Sequence, residues 1–267
     1  MTLSGTITAS PNLNGTIAEL FPPIYANTKS ILFDGGPDAT PVDFLLTGPL
    51  MGTTDIGRRV RVSLSIWIKA TSLATQGCFY GIGTSGDGQR LQVTTDGRVL
   101  WHRNDAAGTG LIQSAIGSIV VGQWYHLAFT YNRSSPITGT KIYIDGALAR
   151  SGSATGGLSR ATIVPAIGCQ DGGSAPNGSG AFSGNIDEPS FWDRELSAAE
   201  VLTLYNGGKA PSLEGMSGLI CWYRMGDDDA DSTDSADAAA RIFDQVGSNN
   251  ATPVNMVAGN IVEDAPS

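Results

Sequence analysis

Residues 59–69 read Arg-Val-Arg-Val-Ser-Leu-Ser-Ile-Trp-Ile-Lys and alternate almost without error. Val60, Val62, Leu64, Ile66 and Ile68 share one side, and Arg59, Arg61, Ser63, Ser65, Trp67 and Lys69 share the other. A period of two describes a strand with one dry face and one wetter face. A strand of this kind needs a second layer over its dry side, which points to packed antiparallel sheets.

The rest of the chain agrees. It is 267 residues long, enough for one large β-sandwich with extensions. Its 35 glycines are roughly twice the usual share, which suits many short strands joined by turns. A net charge of −9 argues against a nucleic-acid surface. No apolar run approaches the ~20 residues needed to cross a membrane, and the start, Met-Thr-Leu-Ser-Gly-Thr, lacks the pattern of a signal peptide. These features predict synthesis in a cytoplasm and no membrane insertion. Cys78, Cys169 and Cys221 are odd in number and widely spaced, so free thiols are favoured over a Cys78–Cys169 bridge.

Residues 1–30 are expected to form an N-terminal arm or an edge strand. Strands are expected at 31–33, 59–69, 79–82, 91–94 and 99–102, with Asp96-Gly97 as a hairpin turn. Residues 124–131 form the next, with Tyr125, Leu127, Phe129 and Tyr131 on one face, and residues 141–144 pair with it. Further strands are expected at 162–167, 182–192 and 219–225. Ser197 and Glu200 have the spacing of a capping box for one short helix, stopped at Asn206-Gly207-Gly208. The acidic stretch 227–237 reads as an exposed loop. Residues 209–267 form a C-terminal extension that completes the sandwich or contacts neighbours.

Four strings occur in order: Leu-Ser-Ile-Trp-Ile-Lys, Gly-Gln-Trp-Tyr-His-Leu-Ala-Phe-Thr-Tyr, Lys-Ile-Tyr-Ile-Asp-Gly, and Phe-Ser-Gly-Asn-Ile-Asp-Glu followed by Phe-Trp-Asp-Arg-Glu-Leu-Ser-Ala-Ala-Glu. Together they resemble the laminin-G-like and pentraxin-like branch of the concanavalin A-type lectin/glucanase jelly rolls, over about residues 31–208. The resemblance implies an all-β sandwich of two antiparallel sheets with one short helix. It says little about function, because such folds include sugar binders, adhesion modules and spacers. Residues 222–227, 242–245 and 249–253 also resemble the ends of laminin-G-like proteins encoded by tailed bacteriophages and marine viral genomes.

Two groups of candidate site residues follow. Asp34, the Gly35 carbonyl, Asp38 and Asp187 supply the hard oxygens that suit calcium, an ion common in the resembled family. The same carboxylates also suit turn and amide hydrogen bonds, and Ala39 stands where a further acid would help. Trp101, His102, Arg103 and Asn104, with Gln170, Asp171 and Asn177, offer an aromatic face and polar tips for a sugar ring. The alternative is that Trp101 covers a sheet edge. Catalysis is not expected. Asp187 and Glu188 are adjacent and should point to opposite faces, Asp193 and Glu195 sit in a turn, and the chain has no Gly-x-Ser-x-Gly elbow.

The leading expectation is therefore a non-enzymatic virion protein on the outer surface of a tailed phage, as a capsid decoration, head fibre or tail display domain. Its partners would be other virion proteins, further copies of itself as a trimer or larger assembly, and a host surface glycan. The alternatives are a calcium-dependent carbohydrate-binding or adhesion module and, behind it, a polysaccharide hydrolase.

Overall fold

The computed structural model describes residues 25–35, 43–47, 60–84, 87–105, 108–135, 137–153, 165–169 and 180–267. In chain order its strands are β1 (Ser30–Phe33), β2 (Phe44–Leu46), β3 (Arg61–Ala70), β4 (Gly77–Thr84), β5 (Asp87–Val93), β6 (Val99–Asp105), β7 (Gly108–Gln113), β8 (Trp124–Asn132), β9 (Thr140–Ile144), β10 (Ala147–Gly152), β11 (Ala166–Ile167), β12 (Gly184–Trp192), β13 (Leu219–Trp222), β14 (Thr252–Val254) and β15 (Ile261–Val262). They form two antiparallel sheets packed face to face. One runs β10-β9-β8-β3-β12-β1-β15, with β13 also pairing β12, and the other runs β14-β2-β11-β4-β5-β6-β7. This is the expected jelly-roll sandwich.

The space between the sheets is filled by the alternating residues of both. Val62, Leu64, Ile66 and Ile68 of β3 meet Leu127, Phe129 and Tyr131 of β8 and Phe79, Leu91 and Trp101 of the opposite sheet. The Phe129 ring meets Trp101 edge-on at 5.8 Å and Phe79 at 5.9 Å. Asp96-Gly97 turns β5 into β6, with Gly97 at φ +73°, a value that glycine adopts without steric cost. The three cysteines are free and buried.

The second face of β3 departs from expectation. Ser63, Ser65 and Trp67 are buried as well, while Val60 precedes the strand and is exposed. The cause is a third layer. Helix α1 (Ala198–Tyr205) lies over this face and buries Val201 and Leu204 against Ala128, Tyr143 and Trp192. Its start carries the predicted capping box, in which the Glu200 amide donates to Ser197 Oγ and the Ser197 amide donates back to the Glu200 carboxylate. The Ser63 and Ser65 hydroxyls below are paired internally. The Leu196 amide donates to Ser63 Oγ, and Ser65 Oγ lies 2.7 Å from His126 Nε2. His126 is fully buried between Trp67 and Tyr205, and desolvation pushes its pKa down to about 3, so it is neutral at physiological pH.

The C-terminal residues belong to the sandwich. β13 adds to β12, β15 to β1, and β14 to β2 in the other sheet. Residues 209–267 thus contribute to both sheets at one edge.

Candidate functional site

Strand β12 is a central strand that contains a proline. Pro189 has no amide to donate, so the ladder cannot run through it unbroken. The register with β3 slips there: Asp187 faces Trp67 and Ser190 faces Ser65, leaving Glu188 and Pro189 opposite Ile66. The result is a β-bulge, with Glu188 at φ +52°. On the other edge of β12 the partner also changes at this point. β1 pairs with residues 184–186 and β13 with residues 190–192, which leaves a notch beside the bulge.

Residues 25–29, leading into β1, cross this notch. The extra residue removes the alternation that would separate Asp187 from Glu188, so residues of one short segment reach both side chains. This corrects the expectation that the two acids face opposite ways. The Asn27 side chain donates to Asp187 Oδ2 at 2.9 Å, and the Glu188 amide donates to Asp187 Oδ1 at 2.9 Å. The Tyr25 hydroxyl donates to Glu188 Oε1 at 2.5 Å, and the Trp222 indole N–H donates to Oε2. All four carboxylate oxygens are thus held.

Both acids are almost fully buried. Desolvation first, and then their mutual repulsion or that of Asp227, raises both pKa values above the ordinary carboxylate range. Burial and the Glu188 charge push the Tyr25 phenol up as well. The Tyr25 ring stacks on Trp222 at 6.1 Å on one side, and the Arg224 guanidinium lies 4.8 Å from its centroid. Arg224 also donates to the Ala26 carbonyl at 2.5 Å.

The acidic stretch 227–237 takes part in this architecture instead of lying wholly exposed. Both carboxylate oxygens of Asp227 accept from the Thr28 amide, and one also accepts from the Thr28 hydroxyl at 2.7 Å. Asp231 accepts from the Gly226 and Phe243 amides, and burial pushes its pKa up to about 6. These acids stand in for missing ladder partners and tie the segment before β1 to the segment after β13.

Above the Tyr25–Trp222 pair opens a groove of about 850 Å³. Thr28 and Lys29 form one wall, Glu214, Gly215 and Met216 another, and Arg224, Asp227, Asp229, Gln245 and Val246 complete the rim. It presents hydroxyl, amide, ammonium and carboxylate groups beside apolar Met216 and Val246. That mixture suits a polar ligand with some apolar surface.

Of the residues singled out from sequence, Asp187 belongs to this cluster, and the others that the structure describes lie elsewhere. Trp101 is 4% exposed and Arg103 2% exposed, both packed within the sandwich. The Trp101 N–H donates to Gln89 Oε1, and the Arg103 guanidinium lies over the Tyr131 ring at 4.8 Å. The Trp101 ring therefore presents no open face to a sugar. His102 points to the other side of β6, half-buried, and desolvation lowers its pKa. The side chain of Asn104 and residues Gln170, Asp171 and Asn177 lie outside the described residues, as does Asp38. Asp34 and Gly35 follow β1 at the end where Phe33 pairs with Gly184. Asp187 lies three residues beyond Gly184, so Asp34 and Asp187 are separated by roughly 13 Å along the ladder. Gly35 is confined for a packing reason, since a Cβ there would stand 2.2 Å from the Phe182 carbonyl oxygen. Among the described residues no three His, Cys, Asp or Glu side chains gather as a metal cluster.

A family model described as the concanavalin A-like lectin/glucanases superfamily matches residues 51–202. No curated protein matches the chain. Among solved structures, a Bacteroides ovatus protein described as a candidate carbohydrate binder superposes with a TM-score of 0.64 at 18% identity, over 90% of this chain and 61% of its own. This chain thus spans about three fifths of that protein. A heptameric pentraxin from Limulus polyphemus gives 0.49 at 20% identity, over 71% of this chain and 84% of its own. A sialidase-associated module from Ruminococcus gnavus, bound to sialyllactose, gives 0.47 at 14% identity, over 56% and 85%. At these identities the likeness is one of fold.

Proposed function

We propose that this chain, which belongs to the concanavalin A-like lectin/glucanases superfamily, is a glycan-binding module whose ligand lies in the groove above Tyr25 and Trp222. The observation that carries the reading is the groove itself. It is open and mixed in polarity, and the wall formed by residues 25–29 is fixed by the hydrogen bonds that anchor them to Asp187, Glu188 and Asp227. A fixed wall lowers the ordering cost of binding. The carbohydrate-binding description of the Bacteroides ovatus neighbour is in keeping with it. The buried acids serve that wall: each of their oxygens already has a donor, and neither is open to the groove.

A printed glycan panel tests the reading. Binding that is weakened at least about tenfold by Lys29→Ala with Met216→Ala, at unchanged melting temperature, supports it. A panel without any hit rejects it.

We place this module on the outer surface of a tailed-phage particle, in repeated copies among other virion proteins. The support is the resemblance carried by residues 222–227, 242–245 and 249–253. Electron microscopy of the native source decides it. Regular copies on a particle bear the setting out, and a dispersed free protein rejects it while leaving the glycan reading intact.

A further inference from the structure

The charges around the groove restrict what it accepts. Its lining holds three carboxylates, on Glu214, Asp227 and Asp229, against two cations, Lys29 and Arg224. Buried Glu188 lies directly beneath, bonded to Tyr25 and Trp222 of the groove floor. The Arg224 charge is already engaged. Its guanidinium stacks on Tyr25, bonds the Ala26 carbonyl, and offsets the nearby Glu188, Asp228 and Asp231. An incoming anion therefore meets excess negative potential at a place where the one fixed guanidinium has little left to offer.

The hydrogen-bonding groups that remain point to a different ligand. Glu214 and Asp229 are exposed, and their carboxylates are acceptors only. Lys29 supplies ammonium donors, while the Gln245 amide nitrogen already donates to Asp228 and the Phe243 carbonyl, which leaves its carbonyl oxygen as a further acceptor. Acceptors and donors stand on one rim, and a hydroxyl both gives and takes a hydrogen bond. Met216 and Val246 supply the apolar contact that the C–H faces of a sugar ring need.

We propose that the groove selects an uncharged, hydroxyl-rich glycan and turns acidic glycans away. This rests on the glycan-binding reading and names the ligand class for the same site.

The test is a panel of neutral glycans printed beside sialylated, uronic-acid and sulfated ones, read at low and high salt. The expected result is binding to neutral glycans only, with a Kd that moves less than about twofold with salt. The charge-reversed variant Glu214→Lys with Asp229→Lys should gain acidic glycans at low salt by about tenfold or more. Both positions are exposed, so a thermal melt alongside should match that of the parent. Glu214→Gln with Asp229→Asn is the milder form, expected to weaken neutral binding without admitting sulfated glycans. Preferential binding of acidic glycans by the parent overturns this inference and leaves the module a glycan binder. Binding of neither class overturns both.

Discussion

Replacing Trp222 by Phe isolates one bond in the buried cluster. The indole N–H is a donor to Glu188 Oε2, and the ring is 5% exposed. At about pH 8, above the Glu188 pKa of about 7, the acceptor is a buried carboxylate; a hydrogen bond to it contributes ~1.5–3 kcal/mol, and removing the donor leaves that oxygen unsatisfied. The smaller ring adds a packing loss of about 1 kcal/mol. The sum is about 3 kcal/mol, which lowers Tm by about 6–12 °C in a chain of this size. The same change in a Glu188→Gln background should cost only about 1–2 kcal/mol, because a neutral acceptor demands less of its donor. Calorimetry or circular dichroism on the four proteins of this double-mutant cycle measures the difference. Strict additivity, or a Trp222→Phe melt within about 1 °C of the parent, would refute the claim that this contact anchors the groove floor.

Three further outcomes follow from the structure. Glu188 titrates at about 7 in the folded chain against 4.5 in a free side chain, so its stabilisation is complete below pH 4.5 and is lost as pH rises through 7. Chemical denaturation across that window should show the parent losing stability relative to Glu188→Gln as pH rises, and parallel curves would contradict it. Gly184 has φ +147°, and a Cβ there would stand 2.2 Å from the Lys69 carbonyl oxygen, so Gly184→Ala should prevent normal pairing of β12 with β3 and yield insoluble protein. Soluble protein with the parent's melt would show that the two strands part easily. Ser197→Ala removes the helix cap and should cost ~1 kcal/mol in a urea melt, while an unchanged midpoint would mean that the cap contributes nothing. We also propose that a calcium ion on residues 34–38 raises Tm, an effect reversed by chelator and abolished by Asp34→Ala. No rise with millimolar calcium sinks that site.

The sandwich was legible because its signals are periodic and local. Alternation in residues 59–69 and 124–131, Asp96-Gly97 between two strand patterns, and the Ser197–Glu200 spacing each fix an element without distant information. The third layer was not legible. Ser63 and Ser65 look solvent-facing until α1 is placed over them, since a buried hydroxyl with a partner reads the same as an exposed one. The site was missed for a related reason. Strict alternation sends Asp187 and Glu188 to opposite faces, but Pro189 immediately follows them. A proline inside a central strand is a bulge signal, and it would have put the acids' orientation in question. Trp101 misled in the opposite sense, because an aromatic at a strand end next to His and Arg resembles a sugar platform until both sheets are in place. The partners of Glu188 come from residues 25 and 222, and no local pattern could join them.

The pairing of Ser30 with Val262 in neighbouring strands has a consequence for how the chain is made. About 230 residues leave the ribosome between these two partners, which takes roughly 10–50 s at ordinary elongation rates. Through that interval β1 lacks its outer neighbour and β2 lacks β14 for nearly as long, and once β12 has emerged it too waits for β13. Three unsatisfied strand edges therefore travel together on a nascent chain that cannot close its sandwich until β15 has emerged. Slow late folding of this kind invites chaperone binding during translation, and a ribosome stall between β12 and β13 would leave all three edges open at once.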